Sequence, residues 1–311
     1  MEFTHRPVMA REVLHYLNCR PGRTYIDGTA GGGGHAFEIL KATGPDGLLI
    51  GIDRDADALA AAGQKLKPYG KRAVLVRENL ANLKEVLKGF GIGAVDGVLF
   101  DLGVSSYQLE EPGRGFSFRS DARLDMRMDR RQKLSAFDIV NTFDVKDLAH
   151  IIRRYGEERF SMRIARAITA RRKQRPLETT MELAEVVLRA VPKKFHSMRT
   201  HPATKTFQAL RIAVNGEIES LERGLEEAVE VLGPGGRFVV LSYHSLEDRL
   251  VKNAFRDSAR GCLCPPRIPK CVCGHVPVVR ILTKKALTPE PREVEENPRS
   301  RSAKLRAVEK L

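Results

Sequence analysis

The sequence lacks several features that would assign it to large classes of protein. It has no run of about 18 uncharged apolar residues, the length that a membrane-spanning helix requires. Residues 1–7 have no apolar core and do not resemble a secretory signal. Of the five cysteines, four lie within Cys262 to Cys273, which is not the distribution of a disulfide framework. These absences predict a protein of the reducing cytoplasm.

Acidic residues are also few relative to basic ones. The chain has 53 Lys and Arg against 39 Asp and Glu, a formal net charge of +14. A surplus of this size favours a polyanionic partner, either nucleic acid or an acidic membrane surface. The alternative is the solvated surface of an ordinary basic enzyme. With 42% hydrophobic and 30% charged residues, a wholly disordered chain is excluded.

The first hundred residues alternate apolar strand segments with helical ones. Strands are predicted at 24–29, 48–53, 73–76 and 95–101, with helices at about 35–42, 55–66 and 80–87. This order predicts an α/β fold with a doubly wound, mostly parallel sheet. Ligands bind such sheets outside the carboxyl ends of the strands, where Asp27, Asp53 and Asp101 fall.

The alternation stops at about Gly113. Residues 114–201 contain 21 Lys or Arg against 11 Asp or Glu and have helical segments without strands between them. A long helix is predicted from about Thr204 to Leu232, and strand character then returns. We therefore predict a discontinuous α/β domain of residues 1–113 and 202–311, interrupted by a basic helical insertion, 114–201.

A glycine cluster joins the first strand to the first helix, from Asp27 to His35. Glycines there let the backbone approach a ligand, and Asp53 after the second strand could accept hydrogen bonds from ribose hydroxyls. A dinucleotide or S-adenosylmethionine would fit, and a tight turn with a capping Asp is the structural alternative. Asp27 would repel a pyrophosphate but could accept from an ammonium group, so S-adenosylmethionine is favoured.

Specific motifs extend along nearly the whole chain. They are His5-Arg6-Pro7-Val8, Tyr25-Ile26-Asp27-Gly28-Thr29, Gly32-Gly33-Gly34-His35, Gly51-Ile52-Asp53-Arg54-Asp55, Phe100-Asp101-Leu102-Gly103-Val104-Ser105-Ser106, Gly113-Arg114-Gly115-Phe116-Ser117-Phe118, Leu124-Asp125-Met126-Arg127-Met128-Asp129, Tyr155-Gly156-Glu157-Glu158-Arg159-Phe160, His201-Pro202-Ala203-Thr204, Thr206-Phe207-Gln208-Ala209-Leu210-Arg211 and Ser242-Tyr243-His244-Ser245-Leu246-Glu247-Asp248-Arg249. With these motifs the sequence resembles the bacterial 16S ribosomal RNA cytosine-N4 methyltransferases, the RsmH or MraW family.

The resemblance implies a class I (Rossmann-like) methyltransferase domain interrupted by a helical domain. It implies S-adenosylmethionine-dependent methyl transfer to N4 of one cytosine in the decoding region of 16S ribosomal RNA, within the small ribosomal subunit. No DNA, membrane or metal is required, and either a monomer or a homodimer is compatible with this activity.

Carried over by position, the resemblance also implies contacts to the methyl donor. They fall on Gly33, Gly34, His35, Asp53, Leu80, Asp101 and Gln108. On residue type alone, Leu80 would be interpreted as a core leucine and Gln108 as a surface loop amide.

The N4 lone pair of cytosine is delocalised into the ring, so the enzyme must orient it and accept hydrogen bonds from the amino group. The predicted catalytic residues are Asp101, Ser105, Tyr107, His244 and Asp248. Tyr107, Phe116 or Tyr243 could supply a stacking face. The alternative for 242–249 is a helix N-cap followed by a surface ion pair.

The basic insertion is predicted to contact RNA phosphates. The candidate arginines are Arg153, Arg154, Arg163, Arg166, Arg171 and Arg172. A solvated helix surface is the alternative. Two other functions stay open from the residues alone: a nicotinamide-dependent oxidoreductase, from the glycine loop and Asp53, and a non-catalytic RNA-binding assembly protein, from the insertion.

The cysteine pairs Cys262-x-Cys264 and Cys271-x-Cys273 could in principle bind zinc through four thiolates. The Cys-x-Cys spacing is less usual than Cys-x-x-Cys, and only six residues separate the two pairs. We therefore predict a structural loop without metal, with zinc as the alternative.

Overall fold

The computed structural model describes residues 7–105, 108, 111–196, 201–262, 264, 270, 272–274 and 276–311. It has two compact units. The first comprises Met1–Ser105 and Glu219–Leu311, and the second is Ser106–Ile218. Within the described ranges, no helix has the length and apolar character that crossing a bilayer would require.

The first unit contains a seven-stranded sheet. Its strands are β1 (Thr24–Asp27), β2 (Leu48–Asp53), β3 (Ala73–Arg77), β4 (Val95–Asp101), β5 (Leu232–Ser242), β6 (Val279–Ile281) and β7 (Lys304–Lys310). Their order is β3-β2-β1-β4-β5-β7-β6. The first five run parallel, and β7 pairs antiparallel with both β5 and β6.

Helices pack on both faces of this sheet. They are α1 (Ala10–Leu17), α2 (Gly34–Ala42), α3 (Ala56–Leu66) and α4 (Leu83–Gly89). The second half of the chain adds most of α10 (Glu217–Val231) and all of α11 (Ser245–Ser258), whereas the short α12 (Pro291–Glu296) has no buried residue. The predicted fold class, α/β with a doubly wound and mostly parallel sheet, is confirmed.

The strand residues alternate between two hydrophobic layers. Ile26 and Phe100 pack in the layer that includes α4, α10 and α11. The residues that precede them, Tyr25 and Leu99, pack in the layer that includes α1 and α2. Because successive side chains of a strand point to opposite faces, a strand covered on both sides must be apolar at every position. The polar groups are thereby confined to the strand ends.

The second unit is helical. Its helices are α5 (Ala136–Thr142), α6 (Val145–Gly156), α7 (Ser161–Arg172), α8 (Thr180–Ala190) and α9 (Thr204–Asn215). Capping boxes begin α5 at Ser135 and α8 at Thr179. The buried faces carry residues such as Leu148, Ile164 and Leu183.

The segment predicted as one helix from about Thr204 to Leu232 is two helices, and that expectation was wrong. Gly216 ends α9 in the left-handed region, with φ of 55°. Asn215 is buried and ties α9 to the second unit, accepting from Met128 N (2.8 Å) and donating to Met126 O (2.8 Å). The second unit is consequently longer at both ends than the predicted insertion, 114–201.

Candidate functional site at the carboxyl ends of the central strands

The glycine loop between β1 and α2 is shaped by its packing. Gly33 caps α2 with φ of 77°. A Cβ at Gly33 would lie 3.2 Å from both Cα and Cβ of Ala62 on α3, so the loop packs closely on that helix. At Gly28 a Cβ would overlap the ring of Phe100. Only glycine therefore lets this backbone lie against β4 and α3 without displacing them.

Asp53, at the end of β2, organises the same loop. Its carboxylate accepts from Gly31 N (2.8 Å) and Asp55 N (2.9 Å). Burial raises the pKa of Asp53, and the two amides oppose that shift. A carboxylate has about four lone-pair positions, so Asp53 retains capacity to accept from a ribose hydroxyl. Its ribose contact remains a prediction.

Asp27 and Asp101, at the ends of neighbouring strands β1 and β4, share a link through Thr29. Thr29 donates to the Asp27 carboxylate from its N (3.1 Å) and its Oγ1 (3.4 Å). The same Oγ1 accepts from Asp101 N (2.6 Å). Burial raises the pKa of Asp27 to about 6, against the lowering effect of nearby His35.

His35, in the first turn of α2, lies close to both carboxylates. Its Nε2 is 3.5 Å from Oδ2 of Asp101 and makes no well-formed hydrogen bond within the described part of the chain. Burial acts to lower the pKa of His35. The carboxylates of Asp101 and Asp27 outweigh burial and leave the pKa above its usual value.

Tyr243, directly after β5, completes this cluster. Its hydroxyl donates to Oδ1 of Asp101 at 2.6 Å. Burial and the Asp101 carboxylate raise the pKa of Tyr243 well above its usual value, so the phenol stays a donor at neutral pH. Oδ2 of Asp101 lies 3.5 Å from His35 Nε2 on a side chain that is 27% exposed, so this oxygen can still accept from a ligand.

These contacts define a rim cluster of Asp27, Thr29, His35, Asp101 and Tyr243. It combines a carboxylate with a raised pKa, a second carboxylate that can accept a further hydrogen bond, and a buried imidazole nitrogen 3.5 Å from that second carboxylate. Such a set fits the cationic amino-acid end of S-adenosylmethionine, because a nearby cation would offset the cost of ionising buried Asp27. It does not suit a pyrophosphate.

His244 and Glu247 form the N-terminal cap of α11. His244 Nδ1 accepts from Glu247 N (3.4 Å), and Glu247 Oε2 accepts from Tyr243 N (2.9 Å) and His244 N (3.3 Å). The two side chains satisfy backbone donors that the helix itself leaves unpaired. The cap also holds Tyr243 in place. The catalytic role predicted for His244 has no direct support in these contacts.

Asp248 lies in an ion-pair cluster with β7. Its oxygens accept from Lys304 Nζ (2.9 Å) and Arg306 Nε (2.7 Å). Partial burial acts to raise the pKa of Asp248, but Arg306 and Lys304 lower it overall. The contacts of residues 244–248 are therefore those of the alternative considered above, a helix cap followed by an ion pair. The catalytic role of Asp248 stays a prediction that these contacts do not support.

The other predicted site residues have separate environments. Ser105 lies against the glycine loop, because a Cβ added at Gly31 would be 3.5 Å from the Cβ of Ser105. Leu80 begins a short 3-10 helix and packs on Gly224 of α10 and the hydrophobic layer there. Gln108 is buried in the second unit. Tyr107 lies outside the described residues.

The predicted RNA-binding arginines divide into two groups. Arg172 donates to the carbonyls of Val140 and Phe143, both at 2.6 Å, at the end of α5. Arg171 contacts Arg175 O (3.2 Å) and Glu182 (3.9 Å). The side chains of the other four, Arg153, Arg154, Arg163 and Arg166, are exposed.

Thr29 and the bond from Tyr243 to Asp101 were missed as site features. Thr29 is two residues after Asp27, the spacing at which an Asp side chain commonly accepts from a backbone amide. That signal was available in the sequence. The signal for Tyr243 was not, because its partner is 142 positions away in the chain.

Comparison with known proteins places these features in context. The model of the MraW methylase family matches residues 2–311. The ribosomal RNA small subunit methyltransferase H of Geotalea daltonii is 56% identical over 310 residues, covering 100% of this chain and 99% of that protein. The protein of the same name from Geobacter sulfurreducens is 54% identical over 311 residues, with complete coverage of both chains. The corresponding protein of Symbiobacterium thermophilum is 53% identical over 311 residues, covering 100% of this chain and 98% of that protein.

Proposed function

The chain belongs to the MraW methylase family, and from this premise we propose that it methylates N4 of one cytosine in the decoding region of 16S ribosomal RNA. Family membership makes it an S-adenosylmethionine-dependent methyltransferase and removes the nicotinamide-dependent oxidoreductase as an alternative. The single observation that carries the site assignment is the rim cluster around Asp101, at the carboxyl ends of β1, β4 and β5.

In this proposal the donor lies along the ends of β1 and β2. Asp27 accepts from its ammonium group, and His35 borders the same end. The amides of Gly33 and Gly34 border it as well, while Asp53 accepts from the ribose and Leu80 packs on the adenine. The bound donor supplies an activated methyl group. The buried Asp27 carboxylate would be stabilised by the ammonium group, which is why donor and protein suit each other.

Asp101 is the proposed catalytic acceptor. Tyr243 OH occupies Oδ1 and fixes the orientation of the carboxylate. Oδ2 is then directed to accept a hydrogen bond from the N4 amino group, which orients the nitrogen lone pair. It also stabilises the positive charge that develops on nitrogen as the bond to the methyl carbon forms and the bond from that carbon to the donor sulfur breaks. The proton that is hydrogen-bonded to Oδ2 would then leave the nitrogen through this contact. Ser105, beside the glycine loop, is placed to border the target base.

The second unit is proposed to hold the RNA. Arg163 and Arg166 lie three residues apart on α7, so they share one face of the helix, and both are exposed. Arginine in such an array binds phosphate through charge-assisted hydrogen bonds. Methylation of N4 also requires the cytosine to leave its stack. Because the proposed substrate is a ribosomal subunit, we propose that the activity is cytoplasmic.

The test is methylation of small subunits isolated from cells that lack this protein. Purified enzyme and S-adenosylmethionine are added, and the 16S RNA is digested to nucleosides and separated by mass spectrometry. We expect a new N4-methylated cytidine that maps to one decoding-region fragment. Methyl groups on carbon 5 of cytosine, on another base, or on RNA of the large subunit would contradict the proposal.

A further inference from the structure

Three of the cysteines that the structure describes, Cys262, Cys264 and Cys273, lie in the segment that connects α11 to β6. The segment is closed at its base by a hydrogen bond from Val278 N to Ser258 O at 2.9 Å. It has no helix or strand among its described residues. Val272 and Val276 within it are 78% and 66% exposed. Apolar packing at these two positions therefore contributes little to the order of this segment.

The three thiols are nevertheless gathered at one point. The Sγ atoms of Cys262, Cys264 and Cys273 all lie within 4.8 Å of one another. Cys262 and Cys273 are 3.8 Å apart, sulfur to sulfur. A disulfide requires about 2.05 Å. Thiolates bound tetrahedrally to zinc at about 2.3 Å are separated by about 3.8 Å, so the observed spacing is that of two ligands of one ion.

The backbone also donates to these sulfurs. Cys264 N donates to Cys262 Sγ at 3.4 Å, and Val272 N donates to Cys264 Sγ at 3.5 Å. Amide donors stabilise negative charge on sulfur and orient it, and metal ligands are commonly supported in this way. Each bond joins backbone of the segment to one of its own thiols, so the cluster is pre-arranged rather than an accidental approach of three side chains.

We propose that Cys262, Cys264 and Cys273 bind one structural zinc ion. Structural zinc takes four ligands, and these three thiols supply three of them from one point of the fold. The ion would cross-link Cys262, near the start of the segment, to Cys273, near its end. The Cys-x-Cys spacing argued against zinc, but it describes each pair separately, whereas the fold brings Cys273 beside Cys262.

The test measures metal content and does not depend on methyl transfer. Protein is purified under reducing conditions without chelators, and zinc is measured by elemental analysis. We expect about one zinc per chain, lost in Cys264→Ser and in Cys273→Ser. Replacing zinc by cobalt should give the intense absorption of thiolate-bound cobalt in the wild type only.

Cys19→Ser is the matched control. Cys19 lies just after α1, and burial raises the pKa of its thiol to about 12, so it is a poor metal ligand. The control should keep its zinc. Limited proteolysis should cleave zinc-stripped wild type within residues 259–277 faster than the loaded protein. The proposal is overturned if reconstituted wild type holds only substoichiometric zinc or if Cys19→Ser loses zinc equally.

Discussion

Asp101 and Asp248 are two partly buried carboxylates of the same α/β unit, and their partners differ in kind. Asp248 accepts from two cations, Arg306 and Lys304, which together neutralise it and hold α11 against β7. Asp101 accepts from the neutral phenol of Tyr243 and lies 3.5 Å from His35. The phenol fixes the orientation of the carboxylate but does not neutralise its charge. A carboxylate saturated by cations stabilises structure, whereas one with an unused acceptor can act on a ligand.

The helical unit offers a parallel contrast. Arg172 is held by two carbonyls at the end of α5, so its charge serves the helix C-terminus. Arg163 and Arg166, on the same helix α7, are exposed. A count of basic residues does not distinguish these three arginines. Of the three, Arg163 and Arg166 can contact a phosphate without breaking hydrogen bonds that Arg172 makes to the helical unit.

The largest effect is expected for Asp101→Ala. Loss of the acceptor should reduce methyl transfer by at least about 100-fold, the low end for a lost charge-stabilising group. The fold should survive, because the side chain lies at the rim and removes no core volume. Single-turnover methylation of the small subunit at saturating donor, with thermal unfolding of the same sample, measures both.

Asp96→Ala is the matched control for Asp101→Ala. Asp96 lies on the same strand at the opposite end, where it pairs with Arg23 and Thr24 N. It should spare turnover. Near-normal turnover in Asp101→Ala would remove Asp101 from the active site and erase its difference from Asp248.

Asp248→Ala should act on stability. Removing the carboxylate leaves the partly buried Arg306 without this charged partner, and we expect a loss of about 2 kcal/mol in the free energy of unfolding. Because the pKa of Asp248 is lowered in the folded state, its contribution is present above the unfolded pKa and is lost as pH falls through the acid range below about 4. Urea unfolding at neutral and acid pH measures this.

The control for Asp248→Ala is Asp257→Ala on the same helix. Asp257 is 51% exposed and pairs with exposed Arg256 and Arg260, so its loss should change stability little. If Asp248→Ala instead keeps its stability and loses turnover by about 100-fold, the catalytic role that the sequence suggested for Asp248 is the correct one.

Donor affinity should depend on pH through Asp27. Its pKa is raised to about 6, so the carboxylate that accepts from the ammonium group is progressively lost below that pH. We expect the Kd of S-adenosylmethionine to rise by up to about tenfold per pH unit as pH falls below 6. Calorimetric titration between pH 5 and 8, over steps of about one unit, measures the dependence.

Asp27→Asn separates this effect from the titration of His35. The variant should bind donor weakly, with an affinity that no longer changes with the titration of Asp27.

The contribution of Asp27 to the stability of the wild type should decrease as pH rises from about 4 to about 6, because the folded state holds the Asp27 proton more tightly than the unfolded chain does. If the donor affinity of Asp27→Asn keeps the pH dependence of the wild type, another group recognises the ammonium group of the donor.

The smallest effects are expected for single arginines of α7. Arg163→Gln and Arg166→Gln should each weaken binding of the small subunit by about fourfold at physiological salt and reduce the salt slope by about 0.7. Donor affinity should not change. Arg292→Gln, an exposed arginine of the other unit, serves as control. Equal affinities and slopes in all three variants would leave the basic surface without an RNA role.

The sequence by itself determined the α/β alternation and the strand ends. Apolar runs covered on both faces cannot accept charges, so Asp27, Asp53 and Asp101 had to fall at one edge of the sheet. The glycine cluster also indicated the loop between β1 and α2, because a backbone that packs this closely has no room for a side chain. The sequence did not specify where α9 ends. The left-handed turn at Gly216 follows Asn215, which accepts from Met128 N in a contact between distant parts of the chain.

Only the tertiary structure decided which polar residues work together. Periodicity specifies the face on which a residue lies but not the partner that reaches it from another strand. Tyr243 meets Asp101, and Asp248 meets Arg306, across separations of 142 and 58 positions. In the same way Cys273 lies 3.8 Å from Cys262, sulfur to sulfur, in a segment closed by the bond from Val278 N to Ser258 O. The sequence specifies which groups carry charge. Which partner neutralises each charge depends on distances between side chains that only the folded chain sets.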